Sequence, residues 1–156
     1  GAQALIAAFF ARGDTAAVGA VCDRTVVAGA VIGALTAGLL AVCGRAVRSL
    51  FSNDAAVLSA AAAAWPIVVA SQPLNTLAFA YDGLLFGAKD FGFCTAAMVA
   101  SSIPAAAVML RLAPSLGLTG VWLGLGLLML LRAALAAARI ASRTGPWDAL
   151  RAKRAA

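Results

Sequence analysis

Four stretches of this chain, Thr25–Gly44, Ala55–Tyr81, Phe91–Leu110 and Leu112–Leu131, contain no charged residue. Each is near or above the roughly 20 residues that a helix needs to cross about 30 Å of hydrocarbon. Water is absent there, so every backbone N–H and C=O must be satisfied within the segment, and a helix is the open-chain solution. The pattern predicts an all-α integral membrane protein with spans near Ala16–Ser49, Ala55–Gly87, Phe91–Leu112 and Gly117–Ala141. Gly1–Arg12 reads as the end of an earlier helix.

Composition agrees. The 156 residues are 63% hydrophobic and 12% charged, against about 45–50% and about 25% in a soluble domain. Much of the apolar content is Ala, Leu, Val and Gly, which suits closely packed helices. Small residues recur at four-residue spacing at Gly29/Gly33, Ala30/Ala34/Gly38 and Gly120/Gly124, and packing within the chain is the expected use. Cys22, Cys43 and Cys94 are far apart and there is no histidine. Zinc and haem motifs are therefore missing, no metal site is expected, and the cysteines read as small buried hydrophobes.

The net charge of +6 comes from positives that sit mostly between the apolar runs. That placement points to membrane orientation and anionic headgroups, with no nucleic-acid partner. With the C-terminal tail in the cytosol, that side holds Arg12, Arg24, Lys89, Arg139, Arg143, Arg151, Lys153 and Arg154. The far side holds Arg45, Arg48 and Arg111, and Arg132 lies inside a helix. Residues 1–143 are thus read as a helical bundle and 144–156 as a basic cytosolic tail, with Trp147 expected at headgroup level.

The loops carry ordinary punctuation. Arg12-Gly-Asp14 turns the chain, Ser52-Asn-Asp54 can cap the next helix, and Ala88-Lys-Asp90 and Pro114-Ser-Leu-Gly117 separate the remaining spans.

Chemistry concentrates in the second span. Gln72, Asn75, Phe79, Asp82 and Phe86 fall on one stripe at 100° per residue. Pro66 and Pro73, on a different face, each remove a backbone donor and are expected to kink the helix. Polar groups in a bilayer mark a cavity, a partner helix or a solute path. Kinked helices facing polar side chains are how secondary transporters build solute and ion sites. Gln72, Asn75, Asp82 and Arg132 are the candidate solute or ion pathway, with Asp82 a group that can take and release a proton. The structural alternative pairs Asp82 with Lys89 or Arg132 and uses Gln72 and Asn75 as interhelical hydrogen-bonding groups. Enzyme readings lack parts: no Gly-x-Ser-x-Gly elbow, no Walker loop, and no second aspartyl-protease half to join Tyr81-Asp82.

Six segments together resemble a known family. They are Leu50-Phe-Ser-Asn-Asp54, Gln72-Pro-Leu-Asn through Tyr81-Asp-Gly83, Gly87-Ala-Lys-Asp-Phe91, Gly117-Leu-Thr-Gly-Val-Trp122, Met129-Leu-Leu-Arg132 and Gly145-Pro-Trp147. In order and spacing they resemble the C-terminal part of a multidrug and toxic compound extrusion (MATE) transporter, in the DinF-like branch that includes plant organic-acid exporters. The resemblance implies a twelve-helix fold in two lobes, of which this chain supplies the end of helix eight and four transmembrane helices of the second lobe. It implies a secondary antiporter that exports small organic solutes (organic anions, phenolics or xenobiotics) in exchange for protons or sodium, with no other cofactor. The implied partners are the lipid bilayer, the missing N-terminal lobe and the solute, in the plasma membrane or plastid envelope. In another branch a cation-binding aspartate of the tenth helix falls, counting back from Gly87, on Asn75. Asp82 therefore does not inherit that role, and the coupling acid of the first helix lies outside this chain. The alternatives are a lipid or glycan flippase of related architecture and a non-transporting membrane anchor or assembly subunit.

Overall fold

The computed structural model describes residues 1–150; Arg151, Lys153 and Arg154 of the expected basic tail lie outside the described residues. The described residues form α1 (Ala2–Ala11), α2 (Thr15–Phe51), α3 (Ala55–Gly87), α4 (Phe91–Leu116) and α5 (Leu118–Ser142), followed by a short 3-10 turn at Gly145–Leu150. The last four helices are long and apolar enough to cross a membrane. Each expected span is present, with ends shifted by a few residues, so the chain is an all-helical, multi-pass membrane protein.

Helix ends follow local chemistry. The Asp54 carboxylate accepts from the backbone N–H groups of Ala56 at 2.7 Å and Val57 at 3.3 Å, capping α3. Asp14 caps α2 by accepting from Ala17 at 3.0 Å. Between α4 and α5 the break is narrower than expected. Pro114 and Ser115 stay within α4 and only Gly117, with φ of 57°, stands between the helices. A positive φ costs glycine nothing, which lets two helices join through one residue.

Two antiparallel hairpins result, α2–α3 and α4–α5, and they meet chiefly through α3 and α5, with α1 lying against α2 and α3. Small residues set the approaches. A Cβ at Gly33 would meet the Thr76 hydroxyl and the Pro73 backbone, and one at Gly29 would lie 3.2 Å from Ala80. Gly120 and Gly124 similarly admit the α4 backbone at Leu112 and the Met109 side chain. The Gly29/Gly33 and Gly120/Gly124 motifs therefore serve packing within the chain, whereas Ala34 and Gly38 of the third motif are exposed. Trp65 of α3 lies on Gly44 and donates its indole N–H to the Leu40 carbonyl of α2 at 3.0 Å.

The core lies toward one end, where Ile6, Val18, Leu84, Leu85, Cys94, Ala136 and Trp147 pack together. Trp147, expected at headgroup level, has its ring fully buried within the protein, where it meets Phe10 edge-on at 5.5 Å. The physical reason is topological: the turn after α5 folds back over the helix ends, and Gly145, with φ of 61°, makes that return possible. The three cysteines are free; Cys22 and Cys94 are buried, whereas Cys43 is only partly so.

Candidate functional site

Asp82 and Arg132 form an ion pair between α3 and α5, with side chains 13% and 12% exposed. Of the two partners considered for Asp82, the structure chooses Arg132; Lys89 is exposed in the loop that follows α3. The guanidinium also stands over the Phe79 ring at 5.8 Å and donates to the Met129 sulfur at 3.6 Å. An arginine inside an apolar helix needs an anion and a polarisable lining, and all three groups supply them.

The rest of the stripe is satisfied close to home. Gln72 donates to the Val68 carbonyl of its own helix at 2.8 Å, and Asn75 donates to the Ser71 hydroxyl at 3.5 Å. Both are partly buried, while Phe79 is 62% exposed. Pro66 and Pro73 lie inside α3 without ending it. Each lacks the N–H that would bond the carbonyl four residues earlier, at Ala62 and Val69. Beside Pro73 the Thr76 hydroxyl lies 2.8 Å from the Gly29 carbonyl of α2, and 3.0 Å and 3.1 Å from the carbonyls of Pro73 and Gln72. A polar node thus joins α2 and α3 where the backbone ladder is interrupted. Sequence reasoning did not single out Thr76, although its place three residues after a proline was a usable signal.

A second charged contact ties α4 to α5. Asp90, just before α4, accepts from Arg139 Nε at 2.9 Å and Nη2 at 3.3 Å, a two-point contact. Arg139 also donates to the Thr144 hydroxyl at 2.8 Å and stands over the Phe93 ring at 4.8 Å. This pair braces the same end of the bundle as Trp147. It escaped the sequence reading because Asp90 and Arg139 lie 49 residues apart and only the packing of α4 on α5 brings them together.

A mostly apolar groove of about 640 Å³ runs between α1, α2 and α3, with Arg24, Thr25 and Thr76 as its polar groups. A second cleft, between α2, α3 and α5, is bordered by Asp23 and Tyr81. Gln72, Asn75, Asp82 and Arg132 line none of the five grooves described. Among the described residues there is no grouping of side chains suited to a metal ion.

The family model described as MatE matches residues 1–112. The chain belongs to the MatE family. This MatE chain is 38% identical over 149 residues to Protein DETOXIFICATION 42 of Arabidopsis thaliana, a match covering 96% of the chain and 29% of that protein. Protein DETOXIFICATION 44, chloroplastic, of the same plant matches with the same identity and coverage. Protein DETOXIFICATION 43 is 38% identical over 151 residues, 97% of the MatE chain and 29% of the relative. The chain thus spans about 29% of the length of the curated relatives it matches. No solved structure matches it.

Proposed function

We propose that the full-length protein is a secondary antiporter that moves small organic solutes, organic anions, phenolics or xenobiotics among them, outward in exchange for protons or sodium. The observation that carries this reading is the Asp82–Arg132 pair, two opposite charges kept among apolar helices of a MatE chain. A buried ion pair contributes little net stability compared with an apolar replacement. Charges kept within membrane helices point instead to a path or a moving part. In this reading Asp82 and Arg132 hold α3 to α5 in one state and separate as the bundle rearranges. The polar groups near Pro73 then supply alternative partners, with Gln72 and Asn75 bordering the solute path. The relatives' printed names, each a Protein DETOXIFICATION, agree with export of unwanted compounds.

A non-transporting membrane subunit is the second reading, and one observation favours it: Gln72 and Asn75 bond within α3 and border none of the grooves. Reconstituting the full-length protein in vesicles separates the two. Imposed proton or sodium gradients are expected to drive uptake of at least one of citrate, salicylate and a cationic dye. Gradient-independent signals equal to empty vesicles for all three would leave the subunit reading standing.

A further inference from the structure

We propose that the cleft between the start of α2 and the end of α5 is a binding site for one phospholipid with a zwitterionic aminophosphate head, phosphatidylethanolamine. Two adjoining grooves make up this cleft, and both are bordered by Cys22, Asp23, Ile140 and Ala141. The outer groove, of about 670 Å³, is mixed in character, with Thr15, Asp23 and Arg143 at its edge. The inner one, of about 530 Å³, is walled mostly by apolar side chains, Val27, Leu84 and Ala137 among them. Polarity therefore falls along the cleft, as it does along a lipid from head to chain.

Depth supports the same occupant. Asp23 and Arg24 immediately precede the charge-free run Thr25–Gly44, so they mark where α2 enters hydrocarbon. The two side chains face different ways: Asp23 borders this cleft, whereas Arg24 borders the groove toward α1. The cleft thus presents a carboxylate and, across it on the left-handed residue that ends α5, the Arg143 guanidinium. One Arg143 nitrogen donates to the Leu150 carbonyl at 3.1 Å, which holds the side chain in place and leaves its other donors for a phosphate. Opposite charges at one mouth match an ammonium and a phosphate on a single head better than a purely anionic lipid, which would meet Asp23 as a like charge. A primary ammonium can donate to the carboxylate, and a trimethylammonium cannot.

The test uses the full-length protein in nanodiscs with phosphatidylethanolamine or phosphatidylcholine carrying a photoreactive acyl chain. Crosslinks to peptides of α2 and α5 are expected, with the ethanolamine lipid captured about tenfold or more over the choline lipid, the weight of one hydrogen bond to a charged group. Asp23→Asn should erase that preference, and Arg143→Gln should lower capture of both lipids. Val27→Trp, at a position already 62% exposed, should block the inner groove while leaving the fold intact. Equal capture of both lipids by the unaltered protein would overturn the proposal. So would an unchanged preference in Asp23→Asn, stronger capture of phosphatidylglycerol, or crosslinks confined to other helices. Because the readout is lipid capture, it stands apart from solute transport.

Discussion

Asp82 of α3 and Arg132 of α5 lie 50 residues apart in sequence and join the two helical hairpins through a single ion pair. The Arg132 guanidinium also stands over the Phe79 ring of α3 at 5.8 Å, and α3 barely touches α4. A directional contact at such a junction fixes the register of one hairpin on the other, which apolar packing alone does weakly. It can also break and re-form as a unit.

The pair makes a sharp mutational prediction. Asp82→Ala leaves Arg132 largely buried with no anion and should cost about 3 kcal/mol, the usual penalty for removing one partner of a buried pair. Replacing both, as Asp82→Leu with Arg132→Met, should restore most of that stability, because no charge remains stranded. Thermal unfolding of the full-length protein in detergent reads both. A double variant as unstable as the single one would show that the charges do not act on each other.

Two glycines on α2 should behave oppositely. Gly33→Ala pushes a methyl into Thr76 and the Pro73 backbone and should destabilise by about 1–3 kcal/mol through overpacking. At Gly38 nothing lies within 4 Å of the added carbon, so Gly38→Ala should stabilise by up to about 1 kcal/mol through helix propensity. The same melting assay compares them, and equal effects at the two sites would contradict the α2–α3 packing described.

Trp147 closes the core at its end of the bundle. Its indole N–H is buried and has no hydrogen-bond partner among the described residues. Trp147→Phe should therefore be near neutral, losing some volume but also an unsatisfied donor. Trp147→Ala should cost about 3–5 kcal/mol by opening a cavity. Cys22 and Cys94, buried in the same cluster, report the opening through their reaction with maleimide. Faster labelling at both, with Cys43 unchanged, is expected in Trp147→Ala and absent in Trp147→Phe.

The brace between Asp90 and Arg139 depends on fork geometry. Arg139→Lys keeps the charge but cannot make the two-point contact or reach Thr144 in the same way. Labelling at Cys94, near the start of α4, should rise in this variant. Asp90→Asn should raise it further, and identical labelling in all three proteins would place no weight on the brace.

The spans were legible because absence of charge over a bilayer's width is a local property that packing does not override. The cap at Asp54 was legible for the same reason, since it acts on amides within three residues, whereas Asp14 was read only as part of a turn. Long-range partners were not. Nothing in Asp82's neighbourhood distinguishes Arg132 from Lys89, since the choice depends on how α5 lies on α3. The burial of Trp147 was not legible because it needs Phe10 from the other end of the chain. Gly29/Gly33 read correctly as packing, yet the partner, Pro73 to Ala80, emerges only from the fold. Pro114 failed to end α4 where expected because Gly117 provides the break.

Gradient-driven solute flux through the full-length protein, measured in sealed vesicles for the unaltered protein and for Asp82→Asn and Arg132→Gln, bears most directly on the reading of the pair as a moving contact. Flux should fall at least tenfold in each variant, the effect of about 1.4 kcal/mol on a barrier, while the amount of inserted protein stays level. Flux retained in both variants at the unaltered rate would contradict a transport role for the charges that join α3 to α5.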